Sequence, residues 1–223
     1  MENSTAMPTE IPILTPHQMK AALETGVLLI DLRPHDAFAS GHIPRSVNVA
    51  FSRKSLAERI ATAIPPGPST ILFSDEATVA EAARDALYGI HRNPLLGIVT
   101  TGIATWCAEG LPLATLPPIS AAALRQRLHA ATEELVLIDV REPFEWEWGH
   151  IQESLLIPLG EIWQHAGSLD PHRETVLICA EGLRSSTAAS ILLHHHFPRV
   201  GNVPGGMGHW FDADYPTTRL PKF

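Results

Sequence analysis

Short apolar runs alternate with amphipathic segments along the chain, a pattern typical of strands that alternate with helices. Residues 15–18 combine an N-cap threonine, a proline and a capping-box glutamine, and they predict a helix that runs through Leu23. The apolar run 27–30 then predicts a strand, and 121–130 and 135–138 repeat this helix and strand later in the chain. We therefore predict an α/β fold in which each half has a mostly parallel central sheet flanked by helices.

The second half of the chain repeats the first. The segment 27–33 recurs as 135–141, and Gly-His-Ile occurs at both 41–43 and 149–151, at the same displacement. Later matches drift by a few residues, as insertions and deletions in loops would cause. A repeat of about 100 residues is too long for a solenoid unit and corresponds to a complete domain. The predicted domains are 11–116 and 117–223.

One cysteine stands where a predicted strand meets a predicted helix. The apolar run 176–178 leads to Cys179, Gly182 follows, and Arg184 and Ser185 begin an Ala-rich segment. Backbone N–H groups at a helix N-terminus converge and favour a negative charge, which promotes the thiolate form of a cysteine. Cys179 is therefore either a nucleophile or a buried residue at the end of a strand. Both interpretations stay open at this point, because free cysteines are also common in buried cores.

These segments together resemble the rhodanese pattern. The second half has 139–143, the loop 179–185 and the turn 205–207, and the whole chain is similar to a tandem rhodanese, a member of a sulfurtransferase family. The first half departs from the pattern at one place, since Ser74 stands where the second half has Cys179. The resemblance implies two tandem rhodanese-like domains, an inactive N-terminal one and a catalytic C-terminal one.

The resemblance also implies a role for each residue of the loop. Cys179 is expected to be the catalytic nucleophile, and Arg184 to orient an anionic donor or to hold the loop. The backbone N–H groups of the loop are expected to stabilise the sulfur-loaded cysteine. The substrate-binding loop then consists of Ala180, Glu181, Gly182, Leu183 and Ser185.

An aspartate and an arginine follow the predicted strand in both halves. Asp139 and Arg141 lie in the second half and correspond to Asp31 and Arg33 of the first half. The first half has this pair although it has serine at the position of Cys179. A supporting role is therefore favoured over a catalytic one. We predict that Arg141 pairs with a nearby carboxylate such as that of Glu145 and braces the loop after the strand.

Sulfur transfer competes with two other functions. Cysteine phosphatases and arsenate reductases share the rhodanese fold but have a longer loop between cysteine and arginine, whereas Cys179 and Arg184 are separated by four residues. The shorter loop favours a Cys179 persulfide, loaded by thiosulfate, mercaptopyruvate or a persulfide donor and unloaded by a thiol, cyanide or protein acceptor. A non-catalytic sulfur-relay or interaction module is the second alternative.

Composition bears on partners and location. The formal net charge of −8 gives no basic footprint for nucleic acid or an anionic membrane surface. Apolar runs are too short for a membrane span, and the first residues lack the pattern of a signal peptide. The sequence predicts a cytoplasmic protein with no nucleic-acid or membrane partner, and disorder over residues 1–10.

The cysteines and histidines do not predict a metal site. The two cysteines lie one in each half, and they form no CxxC pair. Cys107 follows Trp106 and has no loop of amides after it, so a packing role or a surface thiol is predicted. Residues 194–196 are three adjacent histidines, which diverge on a helix and cannot converge on one ion. No metal or other cofactor is predicted.

Overall fold

The computed structural model describes residues 11–87, 93–130 and 134–219. The first half contains α1 (Pro16–Glu24), β1 (Leu28–Asp31), α2 (His35–Ser40), β2 (Val47–Asn48), α3 (Leu56–Ala63), β3 (Thr70–Phe73), α4 (Ala77–Leu87), β4 (Leu95–Val99) and α5 (Gly102–Ala108). The second half contains α6 (Ala121–His129), β5 (Leu135–Asp139), α7 (Pro143–Trp148), β6 (Ser154–Leu156), α8 (Leu159–His165), β7 (Glu174–Ile178), α9 (Leu183–His194), β8 (Val200–Asn202) and α10 (Gly206–Asp212), with a 3-10 turn at Ala166–Ser168 after α8.

The start of α1 forms as its residues predict. The Thr15 side chain accepts a hydrogen bond from the Gln18 N–H at 3.3 Å, and the Gln18 side chain accepts one from the Thr15 N–H at 2.9 Å. Pro16 occupies the first turn, where its missing N–H costs no hydrogen bond. The helix ends at Glu24, one residue later than predicted, and Gly26 has a φ of +90° that permits the turn into β1.

Each half is built on a four-stranded parallel sheet, as predicted. The strand orders are β2-β1-β3-β4 and β6-β5-β7-β8, so the two sheets have the same topology. β1 and β5 continue one residue beyond the predicted apolar runs, to Asp31 and Asp139. Parallel strands end at one edge of a sheet, so the loops after neighbouring central strands meet there. Ser74 and Cys179 follow β3 and β7 at equivalent positions of this edge.

A single hydrophobic cluster continues from one half into the other. It includes Ile60 of α3 and Ile162 of α8, and these two helices pack together. It also includes Ile191 of α9, a helix that packs against β2 of the first half. Every residue of α9 from Ser185 to Leu192 is buried. The helix that follows Cys179 is therefore enclosed by both halves of the chain.

The connector between the halves is hydrogen-bonded on both sides. The Leu116 N–H donates to Ala39 in the first half, and the Ile119 N–H donates to Asn202 in the second. The boundary between residues 116 and 117 stays a prediction. Among the described residues, no helix combines the length and apolarity that a membrane crossing requires. The disorder predicted for residues 1–10 lies outside the described residues.

Candidate active site

The loop between β7 and α9 surrounds the sulfur of Cys179. This side chain is 1% exposed. The Gly182 N–H donates to Cys179 Sγ at 3.1 Å, and the Ser185 hydroxyl donates to it at 3.3 Å. Gly182 is the N-cap of α9 and has a φ of +98°, a left-handed conformation in which a side chain would be strained. Glycine at this position therefore lets the chain turn and direct its N–H at the sulfur.

The start of α10 holds the loop from the opposite side. The Met207 N–H donates to the Cys179 carbonyl at 2.7 Å, and the Gly208 N–H donates to the Ala180 carbonyl at 3.0 Å. Gly206 makes this approach possible, because a Cβ there would lie 2.1 Å from the Cys179 carbonyl oxygen. The N-terminus of α10 thus binds the carbonyl groups of the loop, and the N-terminus of α9 binds the sulfur.

Arg184 is engaged by a carboxylate. Its Nη1 and Nη2 atoms donate to the Glu145 carboxylate at 2.6 and 2.7 Å. These hydrogen bonds hold the pKa of the Glu145 carboxyl below its usual value, and the carboxylate in turn raises the pKa of the Arg184 guanidinium. Glu145 also accepts a hydrogen bond from the Glu142 N–H at 3.0 Å, which caps α7. The pair therefore ties α7 to the first turn of α9.

Arg141 pairs with a nearby carboxylate, as predicted, but that carboxylate belongs to Asp139 and the example of Glu145 is wrong. Arg141 donates to Asp139 through Nε at 3.0 Å and Nη2 at 2.7 Å, and it reaches only the backbone carbonyl of Glu145, at 3.2 Å. Residues two apart at the end of a strand point the same way, so the Asp139 carboxylate is the nearer partner. Arg141 also donates to the Gly149 carbonyl at 2.9 Å. Arg33 makes the equivalent contacts in the first half, so the pair belongs to the fold of both halves.

The remaining loop residues face different surroundings. Ser185 is buried against the sulfur, whereas the Glu181 side chain is exposed and that of Leu183 is 39% exposed. The structure therefore brings Cys179, Gly182 and Ser185 together and leaves Glu181 and Leu183 at the surface of the loop. Cys107 is exposed in α5 of the other half.

The corresponding loop of the first half is organised around a carboxylate. Asp75 accepts a hydrogen bond from the Ile103 N–H at 2.6 Å and lies 3.5 Å from Nη1 of Arg33. Ile103 is in the first turn of α5, the counterpart of α10. The Asp75 side chain thus takes the place that a loop carbonyl occupies in the second half. The Ser74 hydroxyl accepts from the Glu76 N–H at 3.1 Å.

Besides the backbone contacts from α10, two side-chain contacts of the loop were missed by the sequence analysis. One is the partner of Arg184, described above. The other is Asn202, a 3% exposed residue of β8 whose side-chain amide donates to the Gly182 carbonyl at 3.5 Å. An asparagine at the end of an apolar strand is a signal that the sequence does offer, because buried amides need partners.

Both halves of the chain match one family of known proteins. A family model for the rhodanese-like domain matches residues 15–109 and, separately, 120–213. A Bacillus subtilis (strain 168) protein named "Putative sulfurtransferase YtwF" is 42% identical over 92 residues, which is 41% of this chain and 87% of that protein. "Putative sulfur carrier protein YrkF" of the same organism is 38% identical over 96 residues, which is 43% of this chain and 51% of that protein. The matched segment is therefore about half the length of the latter.

Among solved structures, a thiosulfate sulfurtransferase from Pseudomonas aeruginosa matches 95% of this chain and 44% of its own, with 21% identity and a TM-score of 0.41. The two matches to the family model together include most of the 223 residues. Each match also contains one of the two parallel sheets described above. This chain therefore belongs to the rhodanese-like domain family and contains two such domains in tandem.

Proposed function

We propose that this protein is a sulfurtransferase that carries sulfane sulfur on Cys179 of its C-terminal half, with no sulfur carried at Ser74. The observation that supports this most directly is the convergence of the Gly182 N–H and the Ser185 hydroxyl on Sγ, at 3.1 and 3.3 Å. Donors in this arrangement stabilise the thiolate that attacks the sulfur donor and that is regenerated when the acceptor removes the sulfur. The names of the relatives, a sulfurtransferase and a sulfur carrier, support the same chemistry.

The reaction proceeds in two half-reactions. The Cys179 thiolate attacks the sulfane sulfur of the donor, a new S–S bond forms, and the bond to the leaving group breaks. The leaving group keeps the electron pair, as sulfite does when the donor is thiosulfate. An acceptor thiol, cyanide or protein nucleophile then attacks the outer sulfur, and the electron pair of the S–S bond returns to Cys179 as thiolate.

The pairing of Arg184 favours sulfur transfer over phosphatase or arsenate reductase chemistry. A clamp for a tetrahedral oxyanion needs a guanidinium whose donors face the anion. Both terminal nitrogens of Arg184 donate instead to Glu145. The spacing of four residues between Cys179 and Arg184 is also shorter than the phosphatase pattern. In the proposed role Arg184 holds the loop.

Intact-protein mass spectrometry tests the proposal. The protein is mixed in turn with thiosulfate, 3-mercaptopyruvate and a cysteine-desulfurase system. We expect the mass of one sulfur atom to be added by at least one donor, in the native protein and in Cys107→Ser, and no addition in Cys179→Ser. Cys107→Ser is the matched control because Cys107 is the exposed cysteine. Persulfide on Cys107, retained when Cys179 is replaced, would contradict the assignment.

A further inference from the structure

Asn48 of the first half contacts the helix that follows Cys179 in the second half. It is the last residue of β2, at the edge of its sheet. Its N–H donates to the Ser190 hydroxyl at 2.8 Å, and its side-chain oxygen accepts from the Ser186 hydroxyl at 3.2 Å. Both serines belong to α9 and are fully buried. Two hydrogen bonds therefore join the edge of one sheet to α9 of the other half.

The amide of Asn48 is held in one orientation by its own half. Its Nδ2 donates to the carbonyl groups of Asp31 at 3.1 Å and Arg33 at 2.9 Å. With its N–H groups bound there, the amide directs its oxygen to Ser186. The side chain is 1% exposed, so water does not compete for these bonds. Asn48 is therefore a rigid acceptor for α9.

This asparagine is specific to the junction between the halves. Asn48 is the register partner of Asp31, and the equivalent partner of Asp139 is Leu156. The fold of a single half therefore accepts an apolar residue at this place. A polar side chain is costly to bury unless it is hydrogen-bonded. The first half has the buried polar side chain of Asn48 at the place where α9 supplies its hydrogen-bond partners.

The contact reaches the sulfur through the first turn of α9. Ser186 follows Ser185, the residue whose hydroxyl donates to Cys179 Sγ, and the Ser186 N–H donates to the Gly182 carbonyl at 3.1 Å. We propose that Asn48 is a positioning residue, which holds this turn so that Gly182 and Ser185 keep their hydrogen bonds to the sulfur. The first half, which has no catalytic cysteine, then contributes to the site of the second half. This inference rests on the proposed function, in which the Cys179 thiolate is the nucleophile.

The test measures the rate of Cys179 alkylation by iodoacetamide against pH, in a Cys107→Ser background. Asn48→Ala leaves the Ser186 hydroxyl without its acceptor, so the first turn of α9 relaxes and the donors to Sγ weaken. We expect the pH midpoint of alkylation to rise, so that the rate well below the midpoint, as a fraction of the same variant's plateau rate at high pH, falls about three- to tenfold, since one pH unit changes the thiolate fraction about tenfold. Division by the plateau rate removes any change in the exposure of Cys179, which is 1% in the native protein. Ser186→Ala is expected to shift the midpoint in the same direction.

Asn93→Ala is the matched control. Asn93 is a buried asparagine of the first half, 4% exposed, and its Nδ2 donates to the carbonyl groups of Pro65 and Pro68 at 3.0 Å each. Its replacement also removes two amide hydrogen bonds, but those bonds stay within the first half. We expect Asn93→Ala to lower stability and to leave the pH midpoint of alkylation unchanged.

Equal midpoints for Asn48→Ala and Asn93→Ala would overturn the proposal, because Asn48 would then act on stability alone. If Asn48→Ala does not fold, Ser186→Ala and Ser190→Ala decide the question, and native midpoints in both would overturn it. Alkylation needs no sulfur donor, so this comparison is independent of the proposed function. A native protein that accepts sulfur from no donor would refute that function while leaving the alkylation result valid.

Discussion

Replacement of Glu145 by Gln separates two roles of this side chain. A glutamine keeps a carbonyl oxygen that can accept from the Glu142 N–H, so α7 stays capped. It removes the negative charge, and its side chain offers one acceptor where the carboxylate has two. At most one of the two hydrogen bonds from Arg184, at 2.6 and 2.7 Å, can then survive.

The expected loss of stability follows from the exposure of the pair. A hydrogen bond to a charged group contributes about 1.5–3 kcal/mol when it is buried, and an exposed ion pair contributes about 0–1 kcal/mol. The side chains of Arg184 and Glu145 are 32% and 22% exposed, between these two cases. We therefore expect the free energy of unfolding of Glu145→Gln at pH 7 to be lower by about 1–2 kcal/mol.

The loss should depend on pH with a defined sign. Because the fold lowers the pKa of Glu145, its contribution is complete above the unfolded value of 4.5 and is lost as the pH falls through the lower folded value. The difference in stability between the native protein and Glu145→Gln should therefore shrink below pH 4.5. Urea denaturation followed by circular dichroism at neutral and acid pH measures it.

Glu147→Gln is the control, because Glu147 is an exposed residue of the same helix and its replacement removes the same charge. We expect this variant to remain within about 0.5 kcal/mol of the native protein at neutral pH. Equal stability of the Glu145 and Glu147 variants at pH 7, with no change on acidification, would show that the pair with Arg184 does not form in solution.

Three further predictions concern other positions. Ser74→Cys should create no second persulfide site, because that loop is organised around the Asp75 carboxylate; persulfide on the new cysteine in a mass spectrum would refute this. Glu181→Lys should raise kcat/KM for thiosulfate about ten- to a hundredfold at low salt, since it reverses a charge on the exposed loop. If steady-state kinetics show no gain, this side chain points away from the donor. Burial lowers the pKa of His42 from 6.5 to about 4, so the unfolded chain binds more protons in that interval. Through His42, acidification from pH 6.5 to 4 should lower the free energy of unfolding of the native protein by about 3 kcal/mol. Urea denaturation should show a smaller decrease in His42→Gln than in the native protein, and an equal decrease in the two proteins would contradict this role of His42.

The hydrophobic pattern of the chain was sufficient to predict an α/β fold with mostly parallel sheets, and the internal repeat predicted its division into two halves. Cap and turn residues predicted the capping box of α1 and, together with the apolar run before it, the position of Cys179 between β7 and α9. These features depend on residues that are close in sequence, where a helix or strand period and a few turn residues decide the local structure. The repeat added the comparison of Ser74 with Cys179, which needs no tertiary contact.

Polar partners that are distant in sequence were decided only by the tertiary structure. Arg184 and Glu145 are 39 positions apart, and the choice of this carboxylate depends on how α7 packs beside the loop. Ser186 and Asn48 are 138 positions apart, on different halves. Apolar residues of α3, α8 and α9 are buried where the halves meet, but the hydrophobic pattern marks them only as residues to be buried and does not specify which helices pack together. The hydrogen bonds that join Asn48 to α9 across the junction follow from that docking.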